Sequence, residues 1–283
     1  MGAFDPRITP ARPDLAAKHL EGKVTAAHFS VGEVREIVEP QAPVRREPRA
    51  DAALDTEALK GERVTVYETE EGWAWGQLSD DGYVGYLPAS ALAPTGAAAT
   101  HKVTALRTLM FPGPDIKLPP LEALPFGARV AVARMDGPFA VTVAGGYLPA
   151  RQLCPVDTHE SDFVAVAERF VGAAYLWGGK TLLGLDCSGL LQVALTACGI
   201  ACPRDSDMQE AALGKPFAPN AELSDLRRGD LVFWKGHVAM LRDPATLIHA
   251  NAFHMAVAIE PVKEALARIA ATGSQPATVK RLA

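Results

Sequence analysis

Positive charge, cysteine and long apolar runs are all scarce in this 283-residue sequence. Only 28 Lys+Arg stand against 33 Asp+Glu, a formal charge of −5. No field therefore exists to gather phosphates or an anionic membrane, which argues against nucleic acid and membrane partners. No window of about 18 apolar residues is free of charge, so no segment reads as a membrane span. The four cysteines, Cys154, Cys187, Cys198 and Cys202, are too few and too unevenly spaced for a disulfide scaffold and read as reduced thiols. Met1–Lys23 puts charges and prolines where a leader needs an apolar stretch, so a cytoplasmic location is expected. What is plentiful is turn material: 24 Gly and 22 Pro exclude a purely helical chain. A hydrophobic share of 48% supplies enough core for about two domains of ordinary size.

The texture of the chain divides it into four parts. Residues 1–31 read as an irregular arm packed on the body, broken by Pro6, Pro10 and Pro13, with one helical stretch from Pro13 to Leu20. Between 32 and 94, five short apolar clusters separated by charged turns suggest a small bent β-barrel: Val34–Val38, Val44–Arg46, Arg63–Tyr67, Trp73–Leu78 and Tyr83–Leu87. After a small-residue linker the pattern returns over 100–155. Gly127 before Ala128–Val132 parallels Gly61 before Glu62–Val66, and Gly146-Tyr147-Leu148-Pro149-Ala150 parallels Gly85-Tyr86-Leu87-Pro88-Ala89. An internal repeat of one β module is expected. Residues 156–283 switch to α+β. Apolar positions at helical spacing predict a helix from Asp162 to Val171 and another from Cys187 to Cys198, each closed by a glycine. Strands follow at Leu231–Trp234, His237–Leu241 and Thr246–Ala250.

Cys187 stands where a loop meets the second of these helices. Unpaired N–H groups at a helix start favour thiolate over thiol, which predicts a lowered pKa and a nucleophile. The other three cysteines read as buried small hydrophobes. A nucleophilic thiol needs a base, and the base needs an orienting partner. His237 opens one strand and His249 lies in the next, with Arg242-Asp243-Pro244-Ala245 as the turn between them. A three-residue loop at 243–245 sets His249 opposite Ala239 and diagonal to His237 on one face; a two-residue loop would put the rings on opposite faces. Cys198-x-x-x-Cys202 has the look of half a zinc site. No second pair at ligand spacing follows, so neither metal nor cofactor is expected.

Six blocks in a consistent order resemble the successive motifs of the NlpC-type cysteine peptidases: Tyr175-Leu176-Trp177-Gly178-Gly179, Asp186-Cys187-Ser188-Gly189, Arg204–Gln209, Arg228–Trp234, Gly236-His237-Val238-Ala239 and Ile248-His249-Ala250. The preceding β modules resemble bacterial SH3-like domains, in the arrangement of relatives that cut the γ-D-glutamyl bond to a diamino acid in murein peptides. The resemblance implies a papain-like NlpC catalytic domain behind two small SH3-like β-barrels. It implies hydrolysis with Cys187 as nucleophile, His237 as base and His249 fixing its tautomer. The oxyanion would meet the Cys187 N–H and the Tyr175 hydroxyl.

By the same resemblance, Asp186, Ser188 and Ser206 line the substrate pocket, Asp186 being equally suited to cap the catalytic helix. Arg204 reads as a partner of Asp205 or Asp207. The first SH3-like domain would restrict cleavage to peptides with a free N-terminal L-Ala, with Tyr83 reaching over the site and Glu47 meeting the ammonium. Tyr83 reads equally as barrel core and Glu47 as a solvated turn residue. The expected substrate is a murein peptide with diaminopimelate or lysine in third place, cleaved for cell-wall recycling. A secreted wall hydrolase anchored by its SH3-like domains, a non-enzymatic murein-peptide binder and an acyltransferase are the alternatives.

Overall fold

The structure, a computed structural model, describes residues 4–220 and 222–282. Its contacts divide the chain into two compact units, Met1–Thr158 and His159–Ala283. Mixed helix and strand content is the architecture. Among the described residues no helix is long and apolar enough to cross a membrane.

In the first unit, a seven-stranded antiparallel sheet runs in the order 54–59, 41–45, 84–88, 73–78, 63–70, 33–37, 92–94. Alternation explains its burial: Val64 and Val66 face inward against Ile37, Val44, Leu78 and Leu87, while Arg63 and Thr65 face out. Sequence reading missed strand 54–59, whose Leu-Asp-Thr-Glu-Ala-Leu carries one β-branched residue. The arm packs as expected, with Arg12 over the Trp75 ring at 4.4 Å and bonded to Glu68 and the Tyr86 hydroxyl. Its expected helix does not form. Leu15–Ala17 instead pairs in parallel with His28–Ser30, followed by a single 3₁₀ turn, Lys18–Leu20. Eight residues are too few to hold a helix against that pairing.

The 100–155 segment repeats this plan in its hydrogen bonds. Gly61 N–H donates to Ile37 and Gly127 N–H to Val103, both glycines having left-handed φ; Ile37 N–H donates to Glu62 and Val103 N–H to Ala128. Each Tyr-Leu-Pro strand then leads into a 3₁₀ turn, Ala89–Ala91 or Ala150–Gln152, and a short strand beyond it.

The second unit is a six-stranded antiparallel sheet in the order 215–217, 278–281, 231–234, 237–241, 246–251, 256–261. Four helices attend it: α1 (Phe163–Glu168), α2 (Cys187–Ala197), α3 (Ser206–Ala212) and α4 (Val262–Ala271). α2 is almost wholly buried and packs on strands 237–241 and 246–251. α4 buries Val262 and Ala265 against Val232, Trp234, Ala239, Leu241 and Leu247. The loop before α2 is held by close backbone approach. A Cβ on Gly189 would sit 2.3 Å from the Gly179 carbonyl oxygen, and one on Gly179 would sit 2.3 Å from that of Gly184. Gly189→Ala must therefore push the loop off the helix, at about 1–3 kcal/mol. A lowered thermal midpoint by circular dichroism is expected, and an unchanged one would refute the packing described.

Candidate active site

The hairpin 237–251 has the expected register. Met240 pairs with Ile248 and Leu241 with Leu247, which carried one step on sets His249 opposite Ala239. The three-residue loop is fixed by Asp243, whose carboxylate accepts from the N–H groups of Ala245 and Thr246 and from the Thr246 hydroxyl. The rings of His237 and His249 thus meet as diagonal neighbours, Nε2 of the first 2.8 Å from Nδ1 of the second.

A third strand extends the line. His249 pairs with Ala258 and Leu247 with Glu260, making Glu260 the diagonal neighbour of His249 on its other side. Nε2 of His249 lies 2.6 Å from Glu260 Oε1, and Arg268 of α4 closes on the same carboxylate. Sequence reading missed Glu260. Its strand follows a turn built without Gly or Pro, where Met255 takes a left-handed φ of 50°, so nothing marked the turn. The one available signal was an acid at the end of the alternating run Ala256–Pro261.

Cys187 begins α2, buried, its sulfur against the backbone N–H of Val238, the residue after His237. The expected lowering of its pKa does not hold. Burial pushes the thiol up to about 11, reinforced by the charge of Asp186 and opposed by the N–H groups of Val238 and Ser188 and by Arg204. Burial likewise drives His237 down to about 3, and His249 downward against the pull of Glu260. Glu260 resists its own burial and falls to about 2, because His249 and Arg268 bond to its ionised form. Burial thus favours the neutral forms of the thiol and of both imidazoles, and the bonds from His249 and Arg268 favour the ionised form of Glu260.

Asp186 caps α2 through Gly189 N–H at 2.6 Å and also takes Gly178 N–H at 2.8 Å. Arg204, its side chain fully buried, grips both oxygens at 2.9 and 2.8 Å and reaches the Ser188 hydroxyl at 2.8 Å; that hydroxyl in turn donates to Asp186. Arg204 thus has Asp186 as a partner, a pairing that sequence reading did not anticipate. With five donors on its two oxygens, Asp186 together with Ser188 holds the loop that leads into Cys187.

Tyr175 is half-buried near enough to Cys187 and Asp186 for their charges, after burial, to help push its hydroxyl up to about 12, so it stays a donor. Ser206 opens α3, half-buried. Tyr83 and Glu47 belong to the first unit: Tyr83 is packed in the core with Ile37 and Leu87, and Glu47 is exposed and ion-paired to Arg49 at 2.9 Å. Ligand atoms of His249, His254 and Glu260 lie within 4.8 Å of one another, the spacing of a metal cluster. An ion there would have to displace the His249 Nε2 proton and compete with Arg268 for Glu260.

A thiol at a helix start beside a coupled histidine pair is the constellation of a cysteine peptidase, a hydrolase. Comparison with known proteins agrees: residues 172–273 match the NlpC/P60 family and residues 44–92 the bacterial dipeptidyl-peptidase SH3 domain. The chain is 27% identical over 249 residues to a γ-D-glutamyl-L-lysine dipeptidyl-peptidase of Bacillus cereus, covering 74% of this chain and 71% of that one. To the protein of that name in Bacillus subtilis it is 29% identical over 203 residues, covering 65% of each. A crystal structure of an NlpC/P60 family protein from Bacillus cereus superposes with a TM-score of 0.74 at 20% identity, over 88% of this chain and 99% of that one.

The buried neutral imidazole makes the fold acid-sensitive. His237 ordinarily titrates at 6.5 but at about 3 when folded, so between these values the unfolded chain binds more protons. Glu260, shifted from 4.5 to about 2, acts in the same direction over its own window. Stability from both is complete above pH 6.5 and is lost as pH falls through 6.5 toward 2. The thermal midpoint is expected to drop on acidification from pH 7 to 4, with a shallower slope in His237→Asn. Equal slopes would contradict the neutral site.

Proposed function

We propose that this protein is an endopeptidase that hydrolyses the γ-D-glutamyl–L-diamino acid bond of murein peptides bearing a free N-terminal L-Ala, working in the cytoplasm in cell-wall recycling. The observation that carries the reading is the 2.8 Å contact of His237 with His249 next to the thiol at the head of α2. The activity for which the two Bacillus relatives are named supports the bond type. In this reading the catalytic unit is papain-like. The recurring Gly61 and Gly127 hydrogen bonds support two SH3-like copies ahead of it, each a small barrel.

Cys187 attacks the γ-carbonyl carbon of D-glutamate while His237 takes the thiol proton. With both groups neutral at rest, that transfer accompanies attack instead of preceding it. The tetrahedral oxygen is met by the Cys187 N–H and the Tyr175 hydroxyl, each worth about 3 kcal/mol in comparable sites. The imidazolium returns the proton to the departing α-amine of the diamino acid, and water, deprotonated by His237, releases the acyl group. Asp186, Ser188 and Ser206 are the polar groups assigned to the peptide, and Tyr83 and Glu47 are assigned to its free L-Ala end.

Cys187→Ala should reduce hydrolysis of L-Ala-γ-D-Glu-L-Lys, or of the diaminopimelate peptide, below about one part in a thousand with the fold intact. Acetylation of the L-Ala amine should abolish cleavage by the unaltered enzyme. Turnover by the alanine variant would end the thiol mechanism, and equal cleavage of acetylated peptide would end the free-terminus requirement.

A further inference from the structure

We infer that Glu260 is a positioning residue that selects the working tautomers of both histidines, making the site a four-member chain from Cys187 to a carboxylate. This rests on the peptidase reading of Cys187 and His237. A neutral histidine pair joined by one hydrogen bond has two arrangements. In one, Nε2–H of His237 donates to Nδ1 of His249, and His237 keeps a bare Nδ1 able to receive a proton. In the other, Nδ1–H of His249 donates to Nε2 of His237, whose own proton then occupies Nδ1 and blocks the base. The 2.8 Å contact alone does not choose between them.

Glu260 makes the choice. Its oxygen lies 2.6 Å from Nε2 of His249, and an ionised carboxylate only accepts, so the His249 proton must sit on Nε2. Nδ1 of His249 is then an acceptor, Nε2 of His237 must donate to it, and Nδ1 of His237 is left bare. Arg268 pins the carboxylate from α4 and is itself held over the Phe253 ring at 4.4 Å. The carboxylate also faces the positive charge that develops on His237 during attack, relayed through His249. The charged and titratable groups around the histidine pair are Glu260, Arg268 and His254, and around the thiol Asp186, Arg204 and Tyr175.

Two measurements test this. In the unaltered protein, long-range ¹H–¹⁵N correlation of histidine rings should show both His237 and His249 protonated at Nε2, with Nδ1 of His237 unprotonated. A proton on Nδ1 of His237 would overturn the inference without any appeal to activity. Glu260→Gln, which keeps shape and loses charge, should lower kcat about 10- to 100-fold with KM little changed. It should also move the acidic limb of the pH profile to lower pH, and Glu260→Asp should recover part of the rate. A purely structural role would lower the thermal midpoint and leave kcat and the acidic limb of the folded enzyme unmoved, which would refute the proposal. Iodoacetamide inactivation of Cys187 across pH reads the same base without substrate. If the murein peptide is not cleaved yet this profile shifts in Glu260→Gln, the substrate reading fails and the positioning role stands.

Discussion

The buried ion pair of Asp186 and Arg204 is what the catalytic unit is arranged around. A carboxylate one residue before the nucleophile caps α2, ties down the Gly178–Gly179 turn and orients the Ser188 hydroxyl, all from two oxygens. Such density of donors is tolerable in the interior only because Arg204 offers a planar fork matched to the carboxylate. Removing one partner of such a pair costs about 3–5 kcal/mol, since the survivor is left charged and dry. The position of Cys187 is thus fixed by electrostatics around its neighbours, and its helix cannot slide or fray at the reacting end.

The histidines are positioned by a different means, the pleat. His237, His249 and Glu260 lie on three adjacent strands, and each step between them is a diagonal across an antiparallel pair. Period-two geometry puts all three on the face that α4 covers, and α4 supplies Arg268 to the last of them. One residue more or less in the 243–245 loop would turn His249 to the opposite face and dissolve the chain. Asp243 guards that loop length with three hydrogen bonds, an ordinary turn contact with a catalytic consequence.

How much of this was legible in the sequence follows from which interactions are local. The helix start at Asp186-Cys187, the hairpin turn and the parity of two histidines 12 apart along the chain are local matters, and they gave the contact between rings before any coordinates. Arg204 and Glu260 were not legible as site residues. Arg204 meets Asp186 through tertiary packing across 18 residues, and Glu260 meets His249 across a strand pairing whose turn, 11 residues of chain in all, carries neither Gly nor Pro to mark it. The lowered thiol pKa failed for a related reason: a helix terminus was visible in the letters, whereas the depth of burial that outweighs it was not. In the first unit, glycine-led strands were readable, and the poorly β-forming strand 54–59 and the arm's pairing with His28–Ser30 were not.

Burial sets the character of the chemistry. A thiol raised to about 11 beside an imidazole lowered to about 3 holds its proton at neutral pH, so the site at rest carries no standing thiolate. In the proposed mechanism, attack requires the charge to be created and distributed as the carbonyl arrives: negative on the oxyanion between a backbone N–H and Tyr175, positive on His237 and answered by Glu260. The carboxylate's own ionisation is secured in advance by Arg268, so no further group need change state for the base to work. A site that is neutral when idle and polarised only along a prepared line ties reactivity to the arrival of substrate, and the sheet register is what draws that line.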